Sequence, residues 1–167
     1  MIDEIRFSIT DCSLGYLLIA RSTRGLCASL LGDDPTSLRL DLERRFPQAA
    51  LREVQVTDDD LLQRAVALVE WDGRDAGLPL DLQGTPFQLR VWQALREVGP
   101  GYTTTYAGIA ARIGSPRAIR AVAQACAANP LAVAIPCHRV VCSNGELSGY
   151  RWGVERKRAL LAREVAA

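Results

Sequence analysis

The sequence predicts an α+β protein: an N-terminal domain of β-hairpins and helices, then a mostly helical C-terminal domain carrying a helix-turn-helix. Three observations predict it. Strand-like apolar runs crowd the first thirty residues. Apolar residues at helical spacing dominate after Gly84. The charge changes sign between the halves: 9 basic and 15 acidic residues up to Gly84, then 11 basic and 4 acidic from Thr85 onward. A joint at Leu78–Gly84 divides the chain into a support domain, 1–78, and a working domain, 79–167.

The elements follow in order. Phe7–Thr10, Tyr16–Arg21 and Leu26–Leu31 read as strands separated by turn residues. Asp34-Pro35 is a cap followed by proline at the first helical position, with Leu38, Leu42 and Phe46 at helical spacing and Pro47 as the stop. A second helix is predicted from Thr57 to near Gly73, its three aspartates favoured by the N-terminal dipole. Thr85-Pro86 repeats the cap signal ahead of the Phe87, Val91, Leu95 and Val98 stripe. Thr105 caps a helix with Tyr106, Ile109, Ala110 and Ile113 on one face, and Gly114 ends it. Ser115-Pro116 starts the next, running to about Ala128. Two short helices joined by a glycine-containing turn suggest a helix-turn-helix. On the second, Ile119, Val122 and Cys126 form the predicted core stripe. Arg117, Arg120, Ala121, Gln124 and Ala128 lie opposite. That outer face suits a closely approached nucleic-acid groove, or is an ordinary amphipathic surface with alanine for propensity.

Composition narrows the function. Apolar residues make up 49% of 167, enough for a core. No apolar stretch is long enough to span a bilayer, and Met1-Ile2-Asp3-Glu4 does not read as a signal peptide. Five cysteines with no C-x-x-C pair suggest free thiols in a reducing cytoplasm. One histidine and scattered thiols supply no zinc site, so no metal is expected. Ten of the eleven basic residues after Gly84 are arginine, which points to a nucleic-acid face.

The chemistry centres on Cys137, beside the sole histidine, His138. Leu131, Val133 and Ile135 are expected to alternate through an extended, buried approach to Pro136. Burial raises a thiol pKa, so a reactive Cys137 needs a base or hydrogen-bond donors. In an extended dipeptide the two side chains diverge, which favours a water bridge over direct contact. The base also needs an orienting partner.

Several segments taken in order carry a resemblance. They are Thr105-Tyr106, Arg120-Ala121-Val122-Ala123, Ala128-Asn129-Pro130, Ile135-Pro136-Cys137-His138-Arg139-Val140-Val141 and Gly149-Tyr150-Arg151-Trp152-Gly153. Together they resemble the O6-alkylguanine-DNA alkyltransferases, most of all the alkyltransferase half of the bacterial adaptive-response regulators. The resemblance covers nearly all of the chain and is densest from Gly84 to Glu164. It implies a ribonuclease-H-like N-terminal domain and single-turnover transfer of an alkyl group from O6 of guanine, with thymine O4 a further site, to Cys137. It implies His138 as a base acting through water, Glu164 as its orienting carboxylate, and Asn129 as a brace of the turn. Tyr106 would abut the extruded nucleotide and donate a proton to the leaving guanine. Arg120 would fill the gap in the base stack, with Arg117, Ser115, Ala121 and Gln124 beside it in the minor groove. Val140, Tyr150 and Arg151 would wall the guanine pocket. Arg151-Trp152 stands where some relatives carry small residues, which bears on bulky alkyl groups. No cofactor is implied, and the partner is double-stranded DNA bound by a monomer. The other readings are an alkylated-DNA sensor, which would lack the acceptor cysteine, a purely DNA-binding regulator, and a cysteine hydrolase.

Overall fold

The computed structural model describes residues 2–70 and 77–166. They form two compact units: residues 2–70, 77–82 and 130–132 in the first, and residues 83–129 and 133–166 in the second.

The first unit is built on a four-stranded sheet in the order β3-β2-β1-β4, with β1 Glu4–Cys12, β2 Gly15–Arg21, β3 Leu26–Gly32 and β4 Ala50–Glu53. β1, β2 and β3 form an antiparallel meander, and β4 joins β1 in parallel. Successive strand side chains point to opposite faces, so an unbroken buried run means that both faces are covered. Leu17 to Ala20 in β2 are such a run, each fully buried. Helices α1 Pro35–Arg45 and α2 Asp60–Glu70 pack on the sheet. Asp34 caps α1 as its sequence predicts, accepting from Ser37 N at 3.1 Å.

One strand goes beyond the sequence reading, and two expectations change. The strand β4 carries no apolar alternation, since only Leu51 of its four residues is even half-buried; main-chain pairing with β1 alone makes it a strand. The helix expected from Thr57 begins at Asp60, because Asp59 caps it through Leu62 N at 3.2 Å and Val56–Asp58 forms a 3-10 turn. Its expected end near Gly73 lies outside the described residues. Residues 79–82, treated as a joint, pair with β3: Leu26 N donates to Pro79 O at 2.9 Å and Asp81 N to Leu26 O at 2.7 Å. Glycine is required at position 25, where a Cβ would sit 2.5 Å from Pro79 O. The chain returns to this unit once more, where Ala132 N donates to Ser29 O at 2.8 Å.

The second unit is helical: α3 Pro86–Arg96, α4 Tyr106–Arg112, α5 Ile119–Ala127 and α6 Val154–Ala166. A capping box between Thr85 and Gln88 starts α3. Thr105 caps α4. Gly114, at φ 78, ends it in a Schellman arrangement, with Ser115 N to Ala110 O and Gly114 N to Ala111 O. The turn to α5 is longer than the sequence suggests. Ser115 to Ala118 form a turn, and the helix starts at Ile119. Ile119 is 44% exposed, so it is not a core residue. The buried stripe is Val122, Ala125 and Cys126, with Trp92 Nε1 donating to Ala125 O at 2.9 Å. Among the described residues no helix is long and apolar enough to cross a membrane.

Candidate active site

The approach to Cys137 is a compact turn. Leu131 to Ile135 are all buried, without alternation. Val133 adopts φ 70, a conformation that β-branched residues rarely take and that costs about 1–3 kcal/mol. Cys137–Arg139 then forms a 3-10 turn instead of the extended dipeptide expected. The turn is held from two directions. Asn129, fully buried, donates from Nδ2 to Ile135 O at 2.8 Å and to Cys137 Sγ at 3.1 Å. Thr104 N donates to Arg139 O at 2.9 Å, and Val141 N to Thr104 O at 2.8 Å. Asn129 is therefore a brace of the turn; Ala128 takes the helix C-cap.

The 3-10 geometry turns His138 inward, where it is fully buried. Its Nε2 lies 2.7 Å from Glu164 Oε1. Glu164 comes from α6, on a stripe with Lys157 and Leu160, all three buried. Val154, at the start of the same helix, is 39% exposed. A carboxylate is acceptor-only, so the neutral imidazole carries its proton on Nε2 and leaves a lone pair on Nδ1. That Nδ1 is buried with no hydrogen-bond partner among the described residues. The ring has the tautomer of a base waiting for a proton.

Arg139, which sequence reasoning passed over, completes the cluster. It grips Glu164 through Nε at 3.0 Å and Nη2 at 2.8 Å and reaches Val98 O through Nη1 at 2.5 Å. Burial pushes the Glu164 carboxyl up, but hydrogen bonds from His138 and Arg139 outweigh it and hold the pKa at about 2. Glu164 is thus ionised, with Arg139 balancing its charge. Burial, against the Glu164 hydrogen bond, keeps the His138 pKa below its ordinary value. Burial also pushes the Cys137 thiol up to about 11, with relief from the Asn129 hydrogen bond and then the Lys157 charge. The resting pair is therefore thiol and neutral imidazole, and a thiolate forms only when a proton is taken away.

A cleft of about 300 Å³ opens over the sulfur, lined by Tyr106, Cys126, Cys137, Tyr150 and Arg151 among others. The structure thus brings together four predicted residues from α4, the 3-10 turn and the loop before α6. Val140 does not line it: the residue is fully buried, its backbone bridged to Thr104. Arg151 spans from the Asn129 carbonyl to the Trp152 ring, its guanidinium carbon 5.1 Å from the ring centroid. Arg117, Arg120 and Gln124 are exposed, with Ser115 and Ala121 half-buried. The sequence reading also missed Ser148, whose Oγ lies 2.9 Å from Tyr106 Oη and 2.9 Å from Lys157 Nζ. Two charged residues two helical turns apart on one otherwise apolar stripe, Lys157 and Glu164, were the available signal.

Fold and site define a two-unit protein with a buried, asparagine-bonded cysteine beneath an open cleft and a histidine-carboxylate pair beside it. Comparison with known proteins agrees. Residues 86–166 match the family described as 6-O-methylguanine DNA methyltransferase, DNA binding domain, and residues 5–70 match its ribonuclease-like domain. The chain belongs to the 6-O-methylguanine DNA methyltransferase family. It is 49% identical over 161 residues to the bifunctional transcriptional activator/DNA repair enzyme Ada of Escherichia coli, covering 96% of this chain and 46% of that protein. It is 42% identical to the inducible methylated-DNA–protein-cysteine methyltransferase of Bacillus subtilis, covering 74% of this chain and 69% of that one. The crystal structure of Mycobacterium tuberculosis OGT in complex with DNA superposes with a TM-score of 0.77 at 31% identity, over 96% of this chain and 93% of that chain. The chain spans about half the length of Ada-type relatives.

Proposed function

We propose that this protein repairs DNA by moving the alkyl group of O6-alkylguanine onto Cys137 in a single turnover. The observation that carries the proposal is the buried His138 ring, fixed by Glu164 at 2.7 Å with Nδ1 left free, beside a sulfur that already accepts from Asn129. The thiol proton passes through water to His138 Nδ1. Cys137 Sγ forms a bond to the alkyl carbon as the carbon–O6 bond breaks, and that electron pair goes to the purine. Tyr106 donates a proton to the departing base. The proton on His138 returns to solvent, which also restores Tyr106. The products are guanine and an S-alkyl cysteine, a thioether that no group in the cleft is arranged to cleave.

O6 is out of reach for in-line attack inside a duplex, so the base must leave the stack. Arg120 fills the gap, and Arg117, Ser115, Ala121 and Gln124 line the minor groove beside it. Tyr150 and Arg151 flank the extruded base. Residues 1–78 support and residues 79–167 act, as a monomer in the bacterial cytoplasm. The relatives' names, and the solved OGT bound to DNA, support the substrate class. A sensor that only binds alkylated DNA would have no use for the polar support around Cys137.

The test is an oligonucleotide carrying O6-methylguanine, followed by peptide mapping by mass. One methyl per protein on the Cys137 peptide, with activity ending there, is expected. Repeated turnover, or binding without label, refutes the proposal. Arg120→Ala should slow repair of duplex DNA more than reaction with the free base; equal slowing would remove the base-extrusion role.

A further inference from the structure

Lys157 is fully buried on α6, and its three acceptors among the described residues lie in the loop that precedes it: Ser148 Oγ at 2.9 Å, Gly149 O at 3.3 Å and Ser148 O at 3.4 Å. An ammonium only donates. Ser148 Oγ must therefore accept from Lys157, which leaves its one O–H to donate elsewhere. Two acceptors are in reach, Tyr106 Oη at 2.9 Å and Val140 O at 3.4 Å. The shorter contact wins, because a hydroxyl polarised by a cation is a better donor and a poorer acceptor. Tyr106 Oη then receives its hydrogen bond from Ser148. Its own O–H has no other partner among the described residues and is free to turn into the cleft that Tyr106 lines.

We propose that Lys157 and Ser148 are positioning residues for the transfer. They form a one-directional donor chain, Lys157 Nζ to Ser148 Oγ to Tyr106 Oη, that holds the tyrosine as a hydrogen-bond donor toward the departing base. The inference rests on the alkyl-transfer reading above and deepens it. Negative charge grows on the purine as the carbon–O6 bond breaks, and a chain ending in a fixed positive charge strengthens the last donor at that moment. Had Tyr106 donated to Ser148 instead, its O–H would be occupied when the leaving group needed it. The same ammonium lowers the Cys137 thiol pKa, second to the Asn129 hydrogen bond. One buried cation thus acts on both the nucleophile and the leaving group.

Ser148→Ala is the informative variant. It removes the middle link, yet leaves Lys157 two carbonyl acceptors, so the fold and the charge persist. Single-turnover transfer from an O6-methylguanine oligonucleotide should slow about tenfold. Ser148→Thr, which restores a hydroxyl, should recover most of that rate. Ser148→Ala should have little further effect in a Tyr106→Phe background, since the two act in series. With O6-methyl-8-azaguanine, whose departing base is poorer in electrons, the loss should shrink. A merely structural serine would slow both substrates alike and would multiply with Tyr106→Phe. Either of those results, or an unchanged Ser148→Ala rate, overturns the inference alone. A wild-type chain that takes no methyl at all overturns the proposed function and this inference with it.

Discussion

Among the described residues, the two units bury similar numbers of polar side chains and use them differently. In the first unit the buried polar residues are Ser8, Ser22, Ser29, Asp59 and Asp81. Each is short, and each ties chain segments together: Ser29 Oγ to Ala132 O at 3.1 Å, Ser22 Oγ to Asp81 Oδ2 at 2.5 Å, and Asp59 capping α2. In the second unit they are Asn129, His138, Arg139, Lys157 and Glu164. Four of these five ionise: Asn129 bonds the Cys137 sulfur, the Lys157 charge lowers its thiol pKa, and His138, Glu164 and Arg139 form one bonded cluster. Buried short polar groups satisfy the backbone; buried ionisable groups are rare without partners and collect where chemistry needs them. Two thiols in the same cleft repeat the contrast. Cys126 is pushed up to about 12 by burial, with only the Lys157 charge to lower it. Cys137 has the Asn129 hydrogen bond as well and sits at about 11. Burial makes a thiol inert, and the Asn129 hydrogen bond relieves that effect for one of the two.

Breaking the second cluster should produce the largest effects. Cys137→Ser should abolish transfer, while Cys126→Ser should still take the label on the Cys137 peptide; a label that moves to Cys126 would collapse the distinction between the thiols. Glu164→Gln keeps a hydrogen-bond acceptor for His138 but strips Arg139 of its counter-charge. Transfer should fall on the order of 100-fold, and denaturant unfolding should show a loss of about 3–5 kcal/mol. An unperturbed midpoint would mean that the ion pair is not closed in solution.

Acid sharpens the same point. The folded Glu164 pKa of about 2 lies below its ordinary 4.5. A depressed carboxyl contributes stability that is present above the unfolded pKa and lost as pH falls through the folded one. The second unit should therefore lose on the order of 3 kcal/mol between about pH 4.5 and pH 2. Acid melting of Glu164→Gln should lack most of that slope. Asn129→Ala should slow transfer about tenfold through the thiolate it no longer stabilises. The smallest effect belongs to the first unit: Ser8→Ala removes its bond to the Val54 carbonyl. It should cost about 1 kcal/mol of stability and leave the transfer rate unchanged. A drop in rate there would show that the first unit does more than support.

Much of the fold is legible where local chemistry decides. Asp34, Thr85 and Thr105 cap helices because a side-chain oxygen followed by Pro or a helical run satisfies orphan N–H groups wherever the chain goes. The strand β4 and the start of α5 are not legible. β4 exists through pairing with a strand some forty-five residues earlier, and α5 begins late because Ser115–Ala118 closes a turn on itself. Ile119 shows the limit of periodicity: helical spacing marks a face but does not say what covers it, and that residue is left 44% exposed.

By itself the sequence determined the fold class, the pairing of Cys137 with the sole histidine, and the charge that sets the second half apart, because these depend on residue types and short spacings. Only the tertiary structure decided what Cys137 and His138 are to each other. The 3-10 turn points His138 away to Glu164 and gives the sulfur to Asn129. It also closed Lys157, Ser148 and Tyr106 into one chain. Such contacts form when helices from distant parts of the sequence pack, and a side chain's hydrogen-bond partner is fixed by three-dimensional position.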